Sequence, residues 1–218
     1  MERMMTSVLW QALLETLYMT GVATVLAHVA GVPLGVLLVV TDRGHVLEQR
    51  ALHEVLAGVV NVGRSIPFII LLVAIIPFTR WVVGTSIGTT AAMVPLTVAA
   101  IPFVARLVEA ALREVDPGVV EAAQAMGATP WQIVTRVLLP EALPGLALGA
   151  AITAISVVGY SAMAGAVGGG GLGDLAVRYG YQRFRTDIMA QTVILLVVLV
   201  QGMQALGDAA ARRIGRRR

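Results

Sequence analysis

Residues 116–140 read DPGVVEAAQAMGATPWQIVTRVLLP, a polar island in a chain otherwise apolar enough to lie in lipid. The island carries Asp116, Glu121, Gln124, Gln132 and Arg136 and two sets of helix punctuation. Asp116 followed by Pro117 is an N-cap with proline at the first helical position, and Gly127 stands where a helix would stop. Thr129-Pro130-Trp131-Gln132 repeats the start signal, with Gln132 placed for a capping box, and Pro140 closes the second piece. The local reading is two short helices joined at a glycine corner and held outside the bilayer. Such a loop is shaped to meet a partner.

Composition supports the lipid setting. The chain has 218 residues, enough for one domain over 1–218, with 57% hydrophobic and 13% charged residues and a mean hydropathy of +0.83. Soluble domains carry about 25% charged residues. Apolar runs approach 20 residues instead of alternating over about ten, so the expected class is an all-α, polytopic membrane protein. Cysteine is absent, which excludes disulfides and thiolate metal sites. The chain has no lysine, so its basic excess is entirely arginine. The pI of 9.9 therefore bears first on topology and only second on an anionic partner. No cleavable signal is expected, because the first apolar run is long enough to span and lacks a cleavage site.

Outward from the island, five spans are expected. The first runs from about Thr16 to Val40 after a mixed, interfacial lead-in over residues 1–15, and contains His28, for which a hydrogen-bonded structural role outweighs a proton relay. Residues 42–55 form a charged loop. The second span, about Ala57 to Phe78, holds Asn61, Arg64, Ser65 and Pro67. An arginine in a span costs about 2.5–3.5 kcal/mol if central, and less if it snorkels, so Arg64 either snorkels or faces a polar cavity or partner. The third span is about Ile87 to Leu107, with Pro95 and Pro102 inside; the island follows in a loop of about 108–142. The fourth, about Leu143 to Val167, sets Thr153, Ser156, Tyr160 and Ser161 at helical spacings. A glycine-rich loop, 168–186, is expected to be flexible or tightly turned, and the fifth span covers about Asp187 to Leu206.

Five spans put the termini on opposite sides. With the C-terminus inside, the inner side holds ten arginines: Arg43, Arg50, Arg106, Arg113, Arg136, Arg212, Arg213, Arg216, Arg217 and Arg218. The outer side holds five: Arg3, Arg80, Arg178, Arg183 and Arg185. This asymmetry favours N-terminus out and C-terminus in, with the island cytoplasmic.

Several chemistries are excluded as expectations. Gly168 to Gly171 lack the lysine and hydroxyl of a phosphate loop. The arginines and aromatics after them make either a binding rim or a headgroup anchor for membrane lipid. Ser161 lacks the frame and base of an intramembrane nucleophile, and three scattered histidines supply no metal site, so no catalytic residue and no metal are expected. The cores of spans two to four hold no acidic residue for ion-driven transport, so the driving energy is expected to come from another subunit.

Glu121-Ala122-Ala123, then Gly127, then Val137-Leu138-Leu139-Pro140 resembles the EAA motif of ABC importer permeases, with Val137 in place of the usual isoleucine. In that family the loop carries a coupling helix that docks on the ATPase subunit. The resemblance implies that Glu121, Ala122, Ala123, Gly127 and the adjoining Ala128 sit at that contact. Asn61–Phe68, Val94–Phe103 and Gly159–Asp174 are further similar to the compact methionine-importer (MetI-like) permeases of the type I importer fold, over about residues 15–210.

That likeness implies a homodimer forming one translocation path in a bacterial inner membrane. It implies two ATPase subunits below and a substrate-binding lipoprotein or periplasmic protein above. ATP and Mg would be used by the ATPase, with no cofactor on this chain and no nucleic acid as partner. Arg64, Ser65, Ser156, Tyr160 and Met163 are the expected pathway residues. Two alternatives stand: a permease for another amino acid or a quaternary amine, and, further off, a non-transport membrane scaffold.

Overall fold

A computed structural model describes residues 2–215, with side chains from residue 7. Residues 216–218 and the side chain of Arg3, counted in the orientation argument, lie outside them, as does Met1. Among the described residues every regular element is helical.

Helix α1 (Glu2–Val40) is continuous, and Ser7–Val40 is long and apolar enough to cross a membrane. The expected lead-in and span are thus one helix, with no glycine or proline to break residues 7–20. The expected second span is broken. It is built from α2 (Arg50–Ser65), α3 (Phe68–Ala74) and α4 (Ile76–Val83), with α2 and α3 bent by 99°. Pro67 has no N–H and pushes the residue before it out of helical geometry, leaving Ile66 at φ −82°, ψ 120°. Helix α5 (Thr89–Arg113) then runs a turn and a half past its expected end, with Pro95 and Pro102 buried inside it.

The island folds as α6 (Pro117–Ala125), α7 (Pro130–Ile133), a π turn (Val134–Leu138) and α8 (Leu139–Glu141). It leads into α9 (Leu143–Ala166). Pro140 does not close the second piece. The chain stays helical through it, because the widened turn, in which the Leu139 N–H bonds the Val134 carbonyl, accommodates a residue without a donor. After α9 come α10 (Gly171–Leu175), a second π turn (Ala176–Tyr181) and α11 (Thr186–Gly215). The glycine-rich loop is therefore no loose turn: all five residues of α10 are buried. Gly165 and Gly173 permit this, since a Cβ on Gly173 would lie 2.5 Å from Ala162 Cα and one on Gly165 2.3 Å from the Asp174 nitrogen.

Helix α5 is the centre of the bundle. Gly31 and Gly35 let α1 approach it until a Cβ there would meet Val104 at 2.7 Å and the Ala105 carbonyl at 2.6 Å. Those two pairings advance in the same direction, so α1 and α5 are parallel. The chain between them must cross the layer. It does: His53 lies by Asp42 at one end, while the Gly88 N–H bonds the Gly168 carbonyl at the other. Helices α1, α5, α9 and α11 are each long and apolar enough to span, and the bent α2–α3 pair supplies the fifth crossing. Beside α1, α9 runs antiparallel to α5, with Gly145 against Ala111 and Gly149 against Leu107.

Candidate functional site: the polar loop and the broken crossing

The loop's shape follows from its punctuation. The Asp116 carboxylate accepts the Gly118 N–H at 2.8 Å and starts α6. Gly127 takes φ +80°, a left-handed corner with nothing within 4 Å of where a Cβ would sit. Thr129 and Gln132 complete the capping box: the Thr129 N–H donates to Gln132 Oε1 at 2.8 Å, and the Gln132 N–H to Thr129 Oγ1 at 3.4 Å. These are the two capped helices and the corner that the sequence specifies.

The two alanines separate. Ala123 is only 5% exposed and packs in the main core, which also takes in Ile133, Val134 and Leu138. It anchors the loop to its own chain, while Glu121, Ala122 and Gly127 face outward and Ala128 is half-buried. Adjacent positions on a helix lie about 100° apart, so the two cannot share a face, and the packing decides which one the bundle takes. Two apolar side chains stand out in water, Met126 at 83% and Trp131 at 74% exposure. Between α6 and the turn after α1 lies a cavity of about 270 Å³, lined by Glu121, Gln124, Arg43, His45 and Arg113 among others.

Arg64 and Ser65 occupy the last turn of α2, exposed, with Ser65 Oγ donating to the Asn61 carbonyl at 2.8 Å. Ser156, Tyr160 and Met163 form one stripe along α9 at spacings of four and three. Ser156 Oγ is held by the Ile152 carbonyl at 2.9 Å. What joins the two groups is Phe68, the first residue of α3, whose ring stacks on Tyr160 at 4.9 Å and 13°. The sequence reading passed over Phe68; its position directly after the breaking Pro67 is the signal.

It also passed over Glu109, which is buried between Arg106 and Arg113 on α5. The 3- and 4-residue spacings of this trio were readable as helix-surface pairs. Asp42, just past α1, joins it by accepting from Arg113 Nη2 at 2.7 Å. The backbone N–H of Arg43 does most to hold the Asp42 carboxyl below its usual range; burial opposes it, and the Arg113 guanidinium adds to the lowering. Inside α1, His28 Nδ1 lies 2.8 Å from the Thr24 carbonyl.

A five-crossing helical bundle with a capped, outward-facing loop and a broken crossing defines a membrane subunit of the transport class. The sequence model described as "Binding-protein-dependent transport system inner membrane component" matches residues 31–218, and the chain belongs to that family. It is 58% identical over 203 residues to the probable D-methionine transport system permease protein MetI of Vibrio cholerae, covering 93% of this chain and 90% of that one. The probable D-methionine permease of Pasteurella multocida is 51% identical over 217 residues, covering 98% and 100%. Among solved structures, the MetNI methionine ABC transporter in inward-facing conformations matches with a TM-score of 0.96 and 53% identity, over 98% of this chain and 99% of that one. An amino acid ABC transporter at 21% identity and a TM-score of 0.78 shares the fold. The chain is thus the permease component of an ABC transporter, all-α as its sequence indicates.

Proposed function

We propose that the chain is the membrane subunit of a methionine importer. Two copies form the translocation path, and a separate ATPase hydrolyses ATP with Mg. A binding protein or lipoprotein delivers substrate from outside, and the C-terminus and the 116–140 loop face the cytoplasm of a bacterial inner membrane. The observation that carries this is the end-to-end match, at 53% identity, to the MetNI methionine transporter. The loop geometry supports the coupling part: Glu121, Ala122 and Gly127 sit on the outward side with Met126 and Trp131, while Ala123 holds α6 to the bundle. The kink at Pro67 and the Phe68–Tyr160 stack support a pathway passing Arg64, Ser65, Ser156, Tyr160 and Met163.

The test is reconstitution of this chain with its ATPase and binding protein in proteoliposomes. ATP-driven uptake of labelled D- or L-methionine is expected, and ATPase stimulation by a quaternary amine or a polar amino acid instead of methionine would overturn the substrate assignment. In the same system Gly127→Pro is expected to insert normally and lose ATP-driven uptake. Proline cannot adopt φ +80°, and it removes the N–H that bonds the Gln124 carbonyl at 2.9 Å. Undiminished uptake by that variant counts against the coupling role.

A further inference from the structure

Away from the loop and the α9 stripe, five side chains form a network that neither uses. Glu109 is 6% exposed, and both its oxygens are taken. Arg106 Nη1 donates to one at 2.5 Å, while Arg113 Nε and Nη2 donate to the other at 3.2 and 2.9 Å. Each arginine also reaches another part of the chain. Arg106 Nη2 donates to Asn61 Oδ1 on α2, and Arg113 Nη2 to Asp42 Oδ2 beyond α1, both at 2.7 Å.

The placement is what matters. Just after Arg113 the chain turns into α6. Four residues after Asn61 it reaches Ser65 and the 99° bend, and past the bend Phe68 stacks on Tyr160. Apolar helix faces resist separation but permit sliding, whereas charged hydrogen bonds are directional and fix the register between helices. On the near side of the bend α2 is further seated by Gly63, where a Cβ would meet Pro102 at 3.1 Å. The bend itself is two extended residues, Ile66 and Pro67, the element-terminal backbone at which hinges absorb rotation.

We infer that Glu109, Arg106, Arg113, Asn61 and Asp42 are positioning residues that lock α1, α2 and α5 to the projecting loop as one body. Displacement of α6 is then delivered to the hinge at Ile66–Pro67 and, through Phe68, to the α9 stripe. This rests on the coupling reading of α6 given above.

The test compares Asn61→Leu with Asn61→Asp in the reconstituted transporter. Asn61 is exposed, so both variants are compatible with folding, and the aspartate keeps an acceptor for Arg106. Asn61→Leu is expected to assemble and hydrolyse ATP normally while moving about fivefold less methionine per ATP. Asn61→Asp is expected to restore the ratio. Spin labels replacing Met126 and Val62 should keep their separation between nucleotide-free and ATP-bound states in the parent chain, and lose that constancy in Asn61→Leu. An unchanged ratio in Asn61→Leu, or an equal loss in both variants, overturns the inference. Glu121→Ala run alongside separates the two readings. If it leaves ATPase association and uptake intact, the coupling role of α6 fails. If it impairs them while Asn61→Leu behaves as the parent chain, only the network inference fails.

Discussion

At the scale of single residues, Asp42 shows how a membrane-end carboxylate ties a turn to a distant helix. Its neighbours favour the ionised form, so its folded-state pKa lies below the ordinary 3.8. A depressed carboxyl stabilises the fold fully above the ordinary pKa and loses that contribution as pH falls through the folded value. Asp42→Asn is therefore expected to melt earlier than the parent chain near neutral pH, with the gap closing below about pH 4. Thermal melts of both chains in detergent across that range check this, and a gap that widened on acidification would contradict the assignment. The deeper Glu109 is a different case. A carboxylate so buried is tolerated only because two guanidinium groups compensate it, and losing either would leave a costly unpaired charge.

At the scale of elements, small residues set what packs where. Gly31 and Gly35 bring α1 onto α5, while Gly21 and Gly58 have nothing within 4 Å of a Cβ position. Valine at 31 or 35 is expected to pry the helices apart and cost on the order of 1–3 kcal/mol at each site. Alanine at 21 should be neutral or slightly stabilising, since it only raises helix propensity. Melting temperatures in detergent distinguish the two sets, and equal effects at all four glycines would refute the close-packing account. Local chemistry wrote the island's helices, because caps and a left-handed glycine act within four or five residues. The bend in the second crossing was half written: Pro67 announces a break, but its 99° angle and the stacking of Phe68 on Tyr160, some ninety residues away, appear only in the folded chain.

At the scale of the molecule, the parallel packing of α1 and α5 demands an odd number of crossings between them, and with α9 and α11 after α5 the total is odd, so the termini lie on opposite faces. The arginine asymmetry makes N-terminus out and C-terminus in the arrangement to test. Because the chain has no cysteine, single-cysteine variants report sidedness cleanly. Trp81→Cys and Phe184→Cys are expected to react with an impermeant thiol reagent on intact cells, and Leu47→Cys and Met126→Cys only after permeabilisation. The reverse pattern would invert the molecule and remove the loop from any cytoplasmic ATPase.

Sequence by itself determined the membrane class, the number of crossings, the two capped helices around Gly127 and the likeness to methionine-importer permeases. The first three rest on composition, period or local backbone preference and the likeness on the resemblance of short motifs, all of them properties of short windows. Tertiary structure alone decided that Ala123 turns inward while Ala122 turns out, that residues 171–175 are buried against α9, and that Glu109 gathers two arginines whose other partners lie on α2 and beyond α1. These depend on which faces of distant helices meet, and no window of sequence contains both sides of such a contact.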